Sequence, residues 1–195
     1  KRLTTALRLR RCPQGVPMCE EPQTEQQWYA IRVTYSREMA AKSYLDSIGI
    51  ESYVPMHFAE RTYGGKRRKV WEPLIHNLLF IRTSADRLRE IKATTTLPIR
   101  YIMDRESKSP TVIPERQMQD FMAVVATQNE HVAIVAPQYV DLEKGDPVRV
   151  TEGIFAGIEG RYIRHKGHSK VAVAIRNVAT ALTAYIPLKY IAKID

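Results

Sequence analysis

An α+β sandwich followed by a small β-barrel is the fold class this 195-residue sequence predicts. Three observations carry that expectation. Strand-like runs alternate with helical stripes between residues 28 and 130, in the order β-α-β-(hairpin)-β-α-β. Two of those stripes, Ala41/Tyr44/Leu45/Ile48 and Met118/Phe121/Met122/Val125, repeat at i, i+3, i+4 and i+7, the spacing of one helix face. Beyond Lys144, Gly145, Gly153, Gly157, Gly160 and Gly167 separate short alternating runs, the texture of a small barrel.

Composition sets the outer bounds. Hydrophobic residues make up 44% and charged residues 26%, the balance of a soluble globular chain. No apolar run approaches the roughly 18 to 20 residues that span a bilayer, so no membrane partner is expected. Cys12 and Cys19 match no zinc spacing and are too few for a disulfide scaffold, which suits a reducing, cytoplasmic setting. The net charge of +9 divides as +2 over 1–25, +4 over 26–130 and +3 over 131–195. Bulk charge therefore favours a polyanionic partner without localising it.

The elements follow in order. Residues 1–25 read as a disordered basic tail, with Lys1, Arg2, Arg8, Arg10 and Arg11 interrupted by Pro13, Gly15, Pro17 and Pro22. Trp28-Tyr29-Ala30-Ile31-Arg32-Val33 is a strand rich in aromatic and β-branched residues. Ser36 caps a helix over 37–48, and Gly49 supplies its left-handed end. A strand over 51–58 leads to a long hairpin turning at Gly64-Gly65, and 74–82 forms the next strand. Ser84 or Asp86 opens a second helix with Leu88 and Ile91 inward, closed before Pro98. Short strands at 99–103 and 111–113 precede a third helix begun by Pro114. The helices are expected on one face of the sheet. The domain 26–130 is followed by a linker over 131–142 and by the barrel over 143–195, with Val148, Val150 and Phe155 in its core.

Catalysis finds little support. The five histidines lack nearby Cys or carboxylate partners at metal-ligand spacing. There is no phosphate-binding glycine loop and no Gly-x-Ser-x-Gly elbow. No enzyme activity, metal or cofactor is expected. Two features remain. Arg61, Lys66, Arg67, Arg68 and Lys69 surround the Gly64-Gly65 turn, beside Tyr63 and Trp71. Such a tip reaches phosphates without reading bases, or it is simply a solvated tip that protects an edge; both readings stand open. Leu74, Ile75, Leu78, Leu79, Phe80 and Ile81, like Trp28 to Val33, are apolar on both faces of their strands. A strand of that kind needs a second cover. Either a protein partner provides it, or the third helix or the C-terminal domain does.

These residues carry a resemblance. Trp28 to Val33 looks like the opening strand of the NusG N-terminal domain. Gly65-Lys66-Arg67-Arg68-Lys69, followed by Glu72-Pro73-Leu74-Ile75-His76-Asn77-Leu78-Leu79-Phe80-Ile81, is similar to its basic hairpin and the strand after it. Gly145-Asp146-Pro147-Val148-Arg149-Val150-Thr151-Glu152-Gly153-Ile154-Phe155-Ala156-Gly157-Ile158-Glu159-Gly160 resembles a KOW motif, with Gly145, Val148, Val150, Gly153, Phe155, Gly157 and Gly160 as its marks. Glu72-Pro73-Leu74 and Asn77 look more like the specialised RfaH-type and UpxY-type antiterminators than general NusG.

The resemblance implies a ferredoxin-like N-terminal domain bound to the clamp helices of RNA polymerase, and an SH3-like KOW barrel. By position it assigns the polymerase contact to Tyr29, Ile75, Leu78 and Phe80, with Ile75 and Leu78 standing where the family has aromatic residues. It places Arg61, Lys66, Arg67, Arg68 and Lys69 near upstream or non-template DNA, with nascent RNA as a further contact. A ribosomal protein or the termination factor Rho are the partners it implies for the KOW domain. The implied protein is a monomeric, non-catalytic elongation and antitermination factor, serving a particular operon such as one for surface polysaccharide. A general NusG-type pausing factor and a KOW-containing ribosomal or RNA-binding protein are the alternatives. Gly153, Gly157, Gly160 and Pro187, with alternating Val171/Val173/Ile175, argue for a stable barrel over one that refolds into helices.

Overall fold

The computed structural model describes residues 25–104, 106–128, 132–135, 145–165, 167–175 and 178–194. The expected basic tail, apart from Glu25, and most of the expected linker lie outside the described residues.

Seven strands, two of which form a separate ribbon, and three helices make up the first unit. They are β1 (Gln27–Val33), α1 (Glu38–Ser47), β2 (Glu51–Tyr53), β3 (Met56–Tyr63), β4 (Lys66–Pro73), β5 (Leu78–Thr83), α2 (Ala85–Thr94), β6 (Ile99–Tyr101), β7 (Val112–Ile113) and α3 (Glu115–Ala126). The main sheet has the order β2-β5-β1-β6, with β7 also paired to β1, and every pairing is antiparallel. With β1 and β5 at its centre, this is the split β-α-β-β-α-β arrangement. β3 and β4 leave the sheet as a separate two-stranded ribbon.

The local chemistry explains where elements begin and end. Ser84 caps α2 by accepting the Arg87 N–H at 3.2 Å, and Gly49 closes α1 at φ 72°. Ser36 does not cap α1. It sits at φ 51°, and Arg37 occupies the cap position without a side-chain bond. The strand expected over 74–82 starts only at Leu78. Asn77 takes φ 62°, its N–H is bound by the buried Glu38 carboxylate, and its side-chain oxygen accepts from the Ser36 N–H at 3.3 Å. Leu74 and Ile75 therefore sit in a turn between the ribbon and the sheet. The strand expected over 51–58 is likewise split in two, between β2 and β3.

The helices do not share one face. Tyr29, Ile31, Val33, Leu79 and Ile81 pack with Ala41 and Leu45 of α1 and Leu88 and Ile91 of α2. Trp28, Ala30, Leu78 and Phe80 project to the other side, where Met118, Phe121, Val124 and Val125 of α3 meet them. The rings of Phe80 and Phe121 lie 5.6 Å apart at 58°. The reason is the two-sided apolar pattern itself: each face needs a cover, and α3 carries an apolar stripe to supply one.

The second unit is β8 (Ala133–Val135), β9 (Pro147–Val150), β10 (Glu159–His165), β11 (His168–Ile175), β12 (Ala179–Leu182) and β13 (Ile191–Lys193), with a short 3₁₀ turn over Leu188–Tyr190. Its strands run in the order β13-β9-β10-β11-β12-β8. Among the described residues that path is open, a six-stranded antiparallel sheet with β13 and β8 at its ends, and the expected closed SH3-like barrel is not seen there. β8 falls within the stretch expected as a linker, and it lengthens the sheet by pairing with β12. α3 packs over β11 and β12, so a helix helps cover the apolar face. Val148, Val150, Phe155, Ile158, Val171 and Val173 thereby join the same core as Phe80 and Phe121. Within it, Gly160 has a packing reason: a Cβ there would sit 2.5 Å from the Ala172 carbonyl oxygen.

Polar contacts line the same junction. Arg116 of α3 donates to the Gly157 carbonyl at 2.8 Å and lies 3.5 Å from Glu159, which pairs with Arg149. Asp120 is largely buried, and burial raises its carboxyl above the usual range while the Arg116 charge opposes the shift. No helix among the described residues is long and apolar enough to cross a membrane.

Phe121 is fully buried and touches both units, so Phe121→Ala should cost about 3–5 kcal/mol, read as a lowered denaturation midpoint.

Candidate functional site

The ribbon β3–β4 is built by its turn. Gly64 and Gly65 hold φ 55° and 77°, the two positive values of a type I′ turn. A two-residue turn fixes the register, so Tyr63 faces Lys66 and each rung follows down to Met56 opposite Pro73. Opposed residues share a face. One face carries Phe58 with Trp71, Glu60 with Lys69 and Thr62 with Arg67. The other carries His57 with Glu72, Ala59 with Val70, Arg61 with Arg68 and Tyr63 with Lys66.

All five expected basic residues are therefore together, but they are not equivalent. Arg61 grips Glu72 through Nε at 3.1 Å and Nη2 at 2.7 Å, a two-pronged pair. That guanidinium holds the Glu72 carboxyl below the usual glutamate range, with His57 3.9 Å away adding to the effect. Arg67 reaches Glu60 at 4.0 Å. Lys66, Arg68 and Lys69 have no ion-pair partner among the described residues and are exposed. Three free cations on an extended arm form an attractive field for a phosphate chain, which salt would weaken.

Tyr29, Ile75, Leu78 and Phe80 do not converge in the same way. Tyr29 packs on the α1/α2 side, its hydroxyl donating to Gln27 at 3.3 Å, and burial pushes its phenol up. Leu78 and Phe80 point to the opposite side and are sealed under α3. Of the four, only Ile75 is partly open, beside Leu74 at the foot of the ribbon. The second cover that the apolar strands require is thus internal.

Two features went unread in the sequence. Phe58 and Trp71 form an exposed ring pair, with centroids 4.6 Å apart at 56°. The register alone held that signal, since a two-residue turn at 64–65 sets 58 opposite 71. A cleft of about 480 Å³ also opens at the ribbon's foot, between Phe58 and Lys69 on one side and Val125 and Gln128 on the other. Of the KOW-type positions, Val148, Val150 and Phe155 are buried, while Gly153 and Gly157 hold turns at φ 88° and 86°. Among the described residues no group of three or more His, Cys, Asp or Glu side chains could hold a metal ion.

The antiparallel main sheet and the charged two-stranded ribbon are thus separate sheets of one unit. Residues 26–122 match the model of the NusG family, described as transcription termination factor nusG. Among solved structures, one described as "Domain interaction in Thermotoga maritima NusG" matches at 16% identity, covering 88% of this chain and 98% of that one with a TM-score of 0.40.

Because Glu72 has a depressed carboxyl, the Arg61–Glu72 pair is fully present above the ordinary glutamate value and is lost as pH falls through the lower native one. The Arg61 Nε–H resonance should shift in that acidic window, and Glu72→Gln should abolish the titration.

Proposed function

We propose that the chain is a NusG-type transcription elongation factor that associates with RNA polymerase through its N-terminal domain. The observation that carries this reading is the NusG-family match over 26–122, coinciding with a sheet that projects a basic ribbon. The clamp helices are the contact that the sequence resemblance implies. Ile75 and Leu74, partly open at the ribbon's foot, are the apolar residues best placed to meet them. Lys66, Arg68 and Lys69 then lie toward the nucleic acid that the polymerase holds. The mechanism is non-catalytic: the factor favours one polymerase state by the difference in its affinity for the two. The Glu72-Pro73-Leu74 and Asn77 signature supports a specialised antiterminator acting at one operon.

Ile75→Glu should sharply reduce retention of the chain on immobilised polymerase while leaving thermal unfolding close to wild type, because the site is partly exposed. Leu78→Glu is no test of binding, since a buried charge there would disrupt the core. Full retention by a folded Ile75→Glu protein would remove this surface from the interface. Deleting the gene should change transcript levels along one long operon; a genome-wide change would instead identify a general factor.

A further inference from the structure

We propose that the Phe58–Trp71 pair is a stacking platform for an unpaired base of single-stranded nucleic acid, with Lys69 and Arg67 on the same face holding the adjoining phosphates. The inference rests on the reading of the ribbon as a nucleic-acid arm and specifies which nucleic acid it takes.

Large aromatic side chains are normally withdrawn from water, yet Phe58 is 61% and Trp71 48% exposed. They pair across the ribbon on one rung, so the two strands hold both rings in place before any ligand arrives. The next rungs toward the tip on that face carry Lys69 opposite Glu60 and Arg67 opposite Thr62, Arg67 lying 4.0 Å from Glu60 in an exposed pair far looser than the two-pronged Arg61–Glu72 pair. A platform with cations beside it in one direction matches the chemistry of a nucleotide, a flat ring attached to an anion. The other face differs. There Arg61 is spent on Glu72, and the single exposed ring, Tyr63, stands without an aromatic partner.

Duplex nucleic acid fits the platform poorly. A paired, stacked base offers only its edge in a groove, and its π-face is free only at the duplex end. A single strand exposes a π-face at every nucleotide, and aromatic contact with it tolerates any base. The basic tip alone would not discriminate between the two, because phosphate attraction is independent of strandedness in kind.

The chain is suited to a direct test, since it has two tryptophans and Trp28 is only 2% exposed. The full chain is titrated with a short oligothymidylate and with a duplex of the same length, following tryptophan emission and the anisotropy of a labelled strand. The single strand is expected to quench Trp71, and the duplex is not. Phe58→Leu and Trp71→Leu keep apolar bulk on the ribbon but remove a π-face; each should weaken single-strand binding by about 5- to 150-fold and leave duplex binding unchanged. Trp71→Phe, which keeps a ring, should retain most of the affinity. Single-strand binding that survives both leucine variants, yet falls with Lys69→Ala as duplex binding falls, would overturn the platform while leaving the basic arm standing. No binding of either nucleic acid by the wild-type chain would overturn the arm as well. Leucine variants that lose polymerase and keep DNA would make the pair a protein contact, which also overturns the proposal.

Discussion

β1 and β5 pair over six rungs at the centre of the main sheet, and both are apolar on both faces. A strand pair of this kind has no side that water can wet, so two covers are required. α1 and α2 supply one, and α3 supplies the other. Everything else in the molecule follows from how those covers are placed. Because α3 packs against the main sheet and also against β11 and β12, the two units share a single core. That core holds Phe80, Phe121 and Val173 together, so a cavity on one side is felt on the other.

The same constraint separates the ribbon, the proposed binding surface, from the core. With both sheet faces covered, the ribbon keeps Phe58, Tyr63 and Trp71 exposed, and the turn at its foot leaves Leu74 and Ile75 partly open. The ribbon has little core of its own, and it is held by eight rungs, a two-glycine turn, one ring pair and the Arg61–Glu72 pair. An arm built this way keeps its charges extended and its rings exposed. A compact helical cover would instead turn them back toward the domain.

Much of this was legible in the residues. The element order, the capping Ser84, the left-handed Gly49 and the clustering of five basic residues at one turn all follow from local chemistry. Three things were not. Ser36 fails as a cap because Asn77, distant in sequence, reaches its backbone and Glu38 takes the Asn77 N–H. Tyr29 and Phe80 read as one surface by position, but strand alternation sends them to opposite faces. Where a barrel is expected from glycine spacing, the described residues form an open sheet, lengthened by β8 from the stretch expected as a linker.

The sequence by itself determined what depends on near neighbours: strand and helix periodicity, the positive-φ turns, and through the turn at Gly64-Gly65 the entire register of the basic ribbon, because a two-residue turn leaves no other pairing. Only the tertiary structure decided what covers the second face of the sheet. Apolar periodicity states that a face must be buried but not against what, and here α3 and the C-terminal sheet took the place that a partner could have filled.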